Sequence, residues 1–170
     1  MEIGLNYNNL DLCEKVSDIL ATDFWVLTKF TSSMIPVITD PIKFTSNASI
    51  FVKTGKCRFE VDLMSYEMEG PFIVNIRGSQ ILQFDYFSED FDSSFIVISK
   101  RFRDNLFLLI QDCQAYPTAT RHQVVKIPKE MIGRFEKFYY HIAEIFQESK
   151  DQNAYQAMIL AIASFFYECG

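Results

Sequence analysis

The sequence predicts a mainly β domain with added α structure: an antiparallel β-barrel or sandwich, followed by a C-terminal helical hairpin. Three observations predict it. From residue 48 to 99, short runs of apolar, aromatic and β-branched residues recur about every 8–12 positions, with turn residues between them. After Ser99 the apolar spacing changes from two to about 3.6, the period of an amphipathic helix. The chain also has enough to bury. Its 170 residues are 49% apolar, with 17 Phe and 8 Tyr, which suits one folded domain and not a disordered segment.

Taken in order, NNLDLCEKVSDIL (8–20) has near-helical apolar spacing, with Asn8 or Asn9 as a possible cap, so residues 1–22 are expected to form an N-terminal helical segment. DFWVLTKF (23–30) reads as a strand, and a looser stretch follows through Pro36, Pro41 and Asn47. The barrel is expected over 23–99, with strands in ASIFVKTG, CRFEVDL, YEME, PFIVNIRG, QILQFDYF and SSFIVIS. Within 57–63 the alternation places Cys57, Phe59, Val61 and Leu63 on one face and Arg58, Glu60 and Asp62 on the other. Gly55 suits a hairpin turn because glycine tolerates a positive φ.

The remaining chain, 100–170, is expected to be helical. KRFRDNLFLLIQDC (100–113) is amphipathic, with a wide apolar face at Phe107, Leu108, Leu109 and Ile110. A polar link, 115–128, ends at Pro128, which fits the first turn of a helix. Two antiparallel helices follow, 129–149 and 153–169. The second is apolar on nearly every side and must be buried all round, so a partner subunit is the economical cover. Phe138, Ile142, Ile145, Tyr155, Ile159, Ile162 and Phe166 are the expected dimer interface.

Charge and cysteine usage narrow the function. A net charge of −6 argues against this chain itself gripping a phosphate backbone. Lys100, Arg101 and Arg103 cluster, but at a helix start they read as a solvated face. Cys13, Cys57, Cys113 and Cys169 are far apart with no CxxC pair, so zinc and redox motifs are not indicated. The start lacks a basic region followed by an apolar stretch, and the longest apolar run, AMILAIASFF (157–166), falls short of the roughly 20 residues that span a bilayer. A cytoplasmic protein without membrane attachment is expected.

The segment EGPFIVNIRGSQILQFD (69–85) carries two glycines, Gly70 and Gly78, at the spacing of the second motif of metal-binding cupins. In that alignment the metal histidine is replaced by Ile81, and Asp85 closes the motif. With Gly55 as the closing glycine of the first motif, the glutamate slot is Ala48 and the histidine slots fall near Ile42 and Phe44. Aliphatic and aromatic carbons offer no lone pair to a transition metal. The two histidines of the chain, His122 and His141, lie outside the barrel segment. Neither a metal nor another cofactor is therefore expected.

In the order of its parts the chain resembles the N-terminal sensor and dimerisation domain of AraC-type transcription regulators. The resemblance rests on the barrel hairpin IFVKTGKCRFEVDLMSYEMEGPFIVNIRG (50–78), on SEDFDSSFIVISKRFRDNL (88–106), where a final strand runs through a serine into a helix, and on the helical pair PKEMIGRFEKFYYHIAEIFQES and AYQAMILAIASFFYEC. It implies a cupin-like antiparallel β-barrel of the double-stranded β-helix or jelly-roll kind, with a small-molecule effector held in that metal-free barrel. It also implies a homodimer through the helical pair, and DNA contact only through a C-terminal helix-turn-helix domain that this chain does not contain. An isolated, non-enzymatic regulatory domain is expected. In the cupin register Ile81, Gln83 and Asp85 point inward with Cys57 and Phe59, and Phe44 lies near the mouth; these six are the candidate ligand residues. Gln83 and Asp85 need hydrogen-bond partners there. Trp25 and Tyr86 read as core or rim. The alternatives are a metal-free cupin enzyme of the sugar-epimerase or isomerase type, which needs a barrel-facing general base, and a dimerisation scaffold with no ligand. A cyclic-nucleotide roll fits poorly, because Arg77–Gly78 does not make a phosphate cradle.

Overall fold

The computed structural model describes residues 23–32, 41–114, 121–148 and 152–169. The expected N-terminal helix, 8–20, lies outside the described residues.

The β region forms two antiparallel sheets. Its strands are β1 (Phe24–Thr31), β2 (Ile42–Lys43), β3 (Asn47–Thr54), β4 (Lys56–Val61), β5 (Met64–Glu69), β6 (Phe72–Ile76), β7 (Ile81–Phe87), β8 (Asp92–Ile98) and β9 (Val124–Lys126). One sheet has the order β1-β8-β3-β6-β9 and the other β2-β7-β4-β5. Among the described residues the two are not hydrogen-bonded into a closed barrel, so the expected jelly roll is an open pair of sheets. β9 was not foreseen. It lies in the link read as polar, and Val124 and Val125 pair with Val74 and Ile73 to extend the sheet beyond β6.

Glycines decide how the chain passes between the sheets. Gly55 does not close a hairpin: β3 pairs with β6 and β8, while β4 pairs with β5 and β7, so Gly55 carries the chain from one sheet to the other. Its φ is +91°, and a Cβ there would lie 2.5 Å from Phe91 Cα. Gly70 makes the return crossing. A Cβ on it would sit 2.9 Å from the Lys53 carbonyl oxygen, and its N–H donates to Gly55 O at 2.9 Å. The two crossings are thus stacked, and neither tolerates a side chain.

The β4–β5 hairpin turns through Asp62 and Leu63, with φ of 48° and 70°, and Val61 pairs with Met64. Positive φ at both central residues is the type I′ geometry that matches strand twist. Leu63 is therefore a turn residue and 91% exposed, not the inward strand residue its alternation suggested.

Among the described residues three long helices follow or accompany the sheets: α1 (Lys100–Ile110), α2 (Ile132–Glu148, entered through a 3₁₀ turn at Lys129–Met131) and α3 (Gln152–Cys169). Ser99 caps α1, its Oγ accepting the Phe102 N–H at 3.0 Å. The same hydroxyl donates to Asp23 Oδ1 at 2.8 Å, and Arg101 pairs with that carboxylate, tying the start of β1 to the start of α1. α2 packs on β1, and α3 packs on both α1 and α2.

Two apolar cores result. One lies between the sheets and includes Phe44, Ile50, Val52, Cys57, Phe59, Phe72, Leu82 and Phe84. The other lies between the five-stranded sheet and the helices and includes Val26, Phe51, Phe102, Tyr139, Ile142, Met158 and Ile162. The nearly all-apolar α3 needs less outside cover than its sequence implied. Ala154, Met158, Ile159, Ile162 and Ala163 are buried within the subunit, and the exposed line is Asn153, Gln156, Ala157, Leu160, Ser164, Tyr167 and Glu168. Among the described residues no helix is long and apolar enough to cross a membrane.

Candidate ligand-binding interior and its helical contacts

The space between the sheets is built by strand alternation. Opposed residues on paired antiparallel strands share a face, so the pairs Val61↔Leu82 and Phe59↔Phe84 all point inward and Glu60↔Gln83 points outward. Phe59 is at the centre. Its ring lies near Tyr66 (centroids 5.1 Å apart), Phe84 (5.8 Å) and Phe72 (6.2 Å). Phe84, Phe87 and Phe91 continue the series at 4.8 and 4.6 Å. The result is a column of aromatic rings with aliphatic side chains around it.

Polar chemistry is scarce inside. Burial pushes the Cys57 thiol up to about 12, so it stays protonated and is no nucleophile at neutral pH. Ser93 is the buried polar residue among those described, and its hydroxyl donates to Phe30 O at 3.2 Å. No buried side-chain nitrogen or oxygen among the described residues lacks a partner. Such an interior can bind by dispersion and aromatic contact, and among the described residues it presents no acid–base pair.

Of the six candidate ligand residues, Phe44, Cys57 and Phe59 are buried in this interior. The other three are not brought to it. Ile81 is 43% exposed, Asp85 is exposed and Gln83 is half-buried on the outward side, while Leu82 and Phe84 take the inward positions. The reason is local. After Gly78 the chain turns tightly through Ser79, at φ 79°, so β7 begins at Ile81, whose N–H donates to Asp62 Oδ1. Further along, Phe84 faces Phe59 but Tyr86 faces Arg58, so Asp85 is the extra residue of a β-bulge. Gly78 takes no positive φ; its N–H donates to Asn47 Oδ1 at 2.9 Å. Motif spacing located the turn before β7 and missed the parity of that strand.

The positions at the metal slots are Ile42, Phe44, Ala48 and Ile81, none with a donor side chain. Among the described residues no group of three or more His, Cys, Asp or Glu is placed to hold a metal ion. His122 and His141 are exposed, and the His122 carbonyl accepts from Asn75 Nδ2 at 3.2 Å.

The outward face of β3 is the feature sequence reasoning missed. Ile50 and Val52 point into the interior, whereas Ser49, Phe51 and Lys53 meet α2. Tyr139 is hydrogen-bonded to the Ser49 side chain, and burial raises its phenol well above the ordinary range. Phe51 packs against Phe135 and Tyr139 with ring centroids 5.2 and 5.7 Å away. Lys53 pairs with Glu136, which raises the Lys53 ammonium above its usual value. The signal was present in NASIFVKT, where both faces are apolar at 50–52, as in a strand covered on both sides.

The seven expected interface residues take part in packing within the subunit. Ile142, Ile159 and Ile162 are buried there. Phe138 stacks on Phe165 at 3.9 Å, Ile145 packs against the same core, Tyr155 Oη accepts from Asn105 Nδ2 at 2.8 Å, and Phe166 O accepts from Cys113.

No protein-family model matches the chain, and no curated protein matches it. Solved structures do. Apo ToxT K231A from Vibrio cholerae strain SCE256 matches over 87% of this chain and 56% of its own, at 11% identity and a TM-score of 0.52. The AraC-like transcriptional activator CuxR matches over 81% and 46% of the respective chains, at 8% identity and a TM-score of 0.41. A cupin protein from Bacteroides fragilis matches over 45% and 63%, at 15% identity and a TM-score of 0.32. The chain spans a little more than half the length of the ToxT structure. The likeness to ToxT is one of fold, which in this chain is two antiparallel β-sheets with appended helices.

Proposed function

We propose that the chain is the regulatory, effector-sensing and dimerisation domain of an AraC-type transcription regulator. The observation that supports this best is the two-faced strand β3. Ile50 and Val52 line the interior, while Ser49, Phe51 and Lys53 carry α2. A molecule that enters the interior and spreads the sheets displaces the platform on which α2 rests. The helices then report occupancy to whatever is joined to them, by no more than the effector's differential affinity for the two arrangements. In this reading DNA is contacted by a helix-turn-helix domain outside the present sequence. The subunits pair through the helical region, where α3 still exposes Ala157, Leu160 and Tyr167.

The interior favours an apolar effector. A sugar brings several hydroxyls, each costing roughly 1–3 kcal/mol if buried without a partner, and the described inward side chains offer few polar groups: Cys57, the already bonded Ser93, and the partly buried Tyr66 and Trp25. A metal-free epimerase needs a base facing the substrate, and the inward positions of β4 and β7 are Cys57, Phe59, Val61, Leu82 and Phe84. The density of rings around Phe59 favours a second reading, a dimerisation scaffold with a filled core.

Thermal melts with sugars, organic acids, nucleotides and hydrophobic carboxylic acids separate these readings. A saturable rise of about 5–10 °C at a hundredfold excess over Kd is expected for an apolar compound. No rise with any member of the panel would overturn the sensor reading and leave the scaffold. Light-scattering mass at micromolar concentration tests the dimer, and a monomer would remove that part of the proposal.

A further inference from the structure

The sequence scatters its cysteines, yet the fold brings two of them to one place. Cys113 follows α1 and is buried, and its Sγ donates to the backbone oxygen of Phe166 at 3.1 Å. Cys169 stands three residues further along α3, and residues i and i+3 share a helix face. Both side chains pack in the same apolar cluster. Cys169 is partly open to solvent and Cys113 is not. The end of α3 is held at this spot by two further bonds: Tyr167 Oη donates to Leu109 O at 3.0 Å, and Arg134 Nη1 donates to Glu168 O at 2.9 Å. Both sulfurs are free thiols in this structure.

We propose that Cys113 and Cys169 are a disulfide-forming pair, a redox modification site that staples the C-terminal end of α3 to the end of α1. The oxidant is a low-molecular-weight disulfide. The more accessible Cys169 thiolate attacks one sulfur of it, forming a mixed disulfide and releasing one thiolate. The Cys113 thiolate then attacks the Cys169 sulfur, closes the protein disulfide and expels the second thiolate. Two protein S–H bonds are lost, and the two electrons and two protons leave as two small thiols. The Cys113 hydrogen bond to Phe166 is replaced by a covalent link across the same contact. Burial is the largest influence raising the Cys169 thiol, and Cys113 acts in the same direction. The reaction is accordingly slow at neutral pH. The site needs no effector and stands whether or not the interior binds one.

The test is incubation of the 170-residue chain with oxidised glutathione at about pH 8, followed by intact mass, non-reducing peptide mapping and a thermal melt. The expected result is a loss of two hydrogens, one linked peptide pair containing Cys113 and Cys169, and a midpoint raised by roughly 5–10 °C that dithiothreitol reverses. Cys169→Ser is expected to abolish both the link and the oxidant-dependent rise, and Cys113→Ala serves as the second variant. A stable glutathione adduct on Cys169 with Cys113 still alkylatable would overturn the proposal. So would linkage through Cys13 or Cys57, linkage only between chains, or no oxidation at all.

Discussion

Replacing Leu82 and, separately, its neighbour Ile81 by alanine reads the parity of β7 directly. Leu82 is 1% exposed and faces Val61 across the inner side of the β4–β7 ladder. Truncation removes three buried carbons from a core lined by large rings that do not collapse easily into the gap. Leu→Ala at such sites costs about 2–5 kcal/mol, the transfer loss plus a cavity contribution. We expect about 3 kcal/mol for Leu82→Ala, against a total stability on the order of 5–15 kcal/mol. Ile81 is 43% exposed, so its truncation removes atoms that are already half in water, and the expected cost is below about 1 kcal/mol. Urea unfolding followed by fluorescence of Trp25, the one tryptophan in the sequence, measures both. With a slope of about 2 kcal/mol/M, Leu82→Ala lowers the midpoint by about 1–2 M and Ile81→Ala by less than about 0.5 M. If Ile81→Ala costs as much as Leu82→Ala, the inward placing of Leu82 is wrong and the motif register, with Ile81 inward, is restored.

Gly55→Ala is expected to be more damaging than Gly78→Ala, as judged by thermal midpoint. A Cβ at Gly55 meets backbone at 2.5 Å and a φ of +91°, whereas the nearest atom to a Cβ at Gly78 is 3.3 Å away. Ser99→Ala removes the α1 cap and is expected to cost about 1 kcal/mol in urea unfolding, with Ser99→Thr close to wild type. Arg101, through its hydrogen bond, holds the Asp23 carboxyl below its ordinary value, with a smaller lowering from Ser99 and an opposing desolvation. A depressed folded-state value means the stabilisation is present above the unfolded carboxylate range and lost as pH falls from that range through the lower folded-state value. Melts between about pH 5 and 3 should therefore drop less steeply for Asp23→Asn than for wild type; equal slopes would show that this pair contributes nothing.

Much of the fold was legible because strand periodicity is a strong local signal. Cys57, Phe59 and Val61 fall inward as the alternation of CRFEV requires, and the change of period after Ser99 marks the real start of α1. What stayed hidden depended on tertiary pairing. Leu63 continues the alternation in sequence but sits in a turn fixed by the pairing of Val61 with Met64. The inward face of β7 is set by a tight turn at Ser79 and a bulge at Asp85, and neither leaves a distinctive residue pattern. Val124 and Val125 form a strand because the edge of β6 is there to receive them, too short a run to stand out alone. The cover over α3 comes from α1 and α2, so an apolar helix that looked in want of a second subunit was largely satisfied by its own chain. The apolar run at 50–52 signals a cover on the outer face of β3, but that α2 supplies it, through Ser49, Phe51 and Lys53, joins residues far apart in sequence and leaves no local pattern.

The central claim is that occupancy between the sheets is felt by α2 through β3. Hydrogen–deuterium exchange of the 170-residue chain, with and without the apolar compound that raises the melting midpoint most, tests it most directly. The expected result is slowed exchange in β4 and β7, which line the interior, together with a change in α2 around Phe135–Tyr139. Protection confined to an outer surface, or protection of β4 and β7 with α2 unchanged, would contradict it.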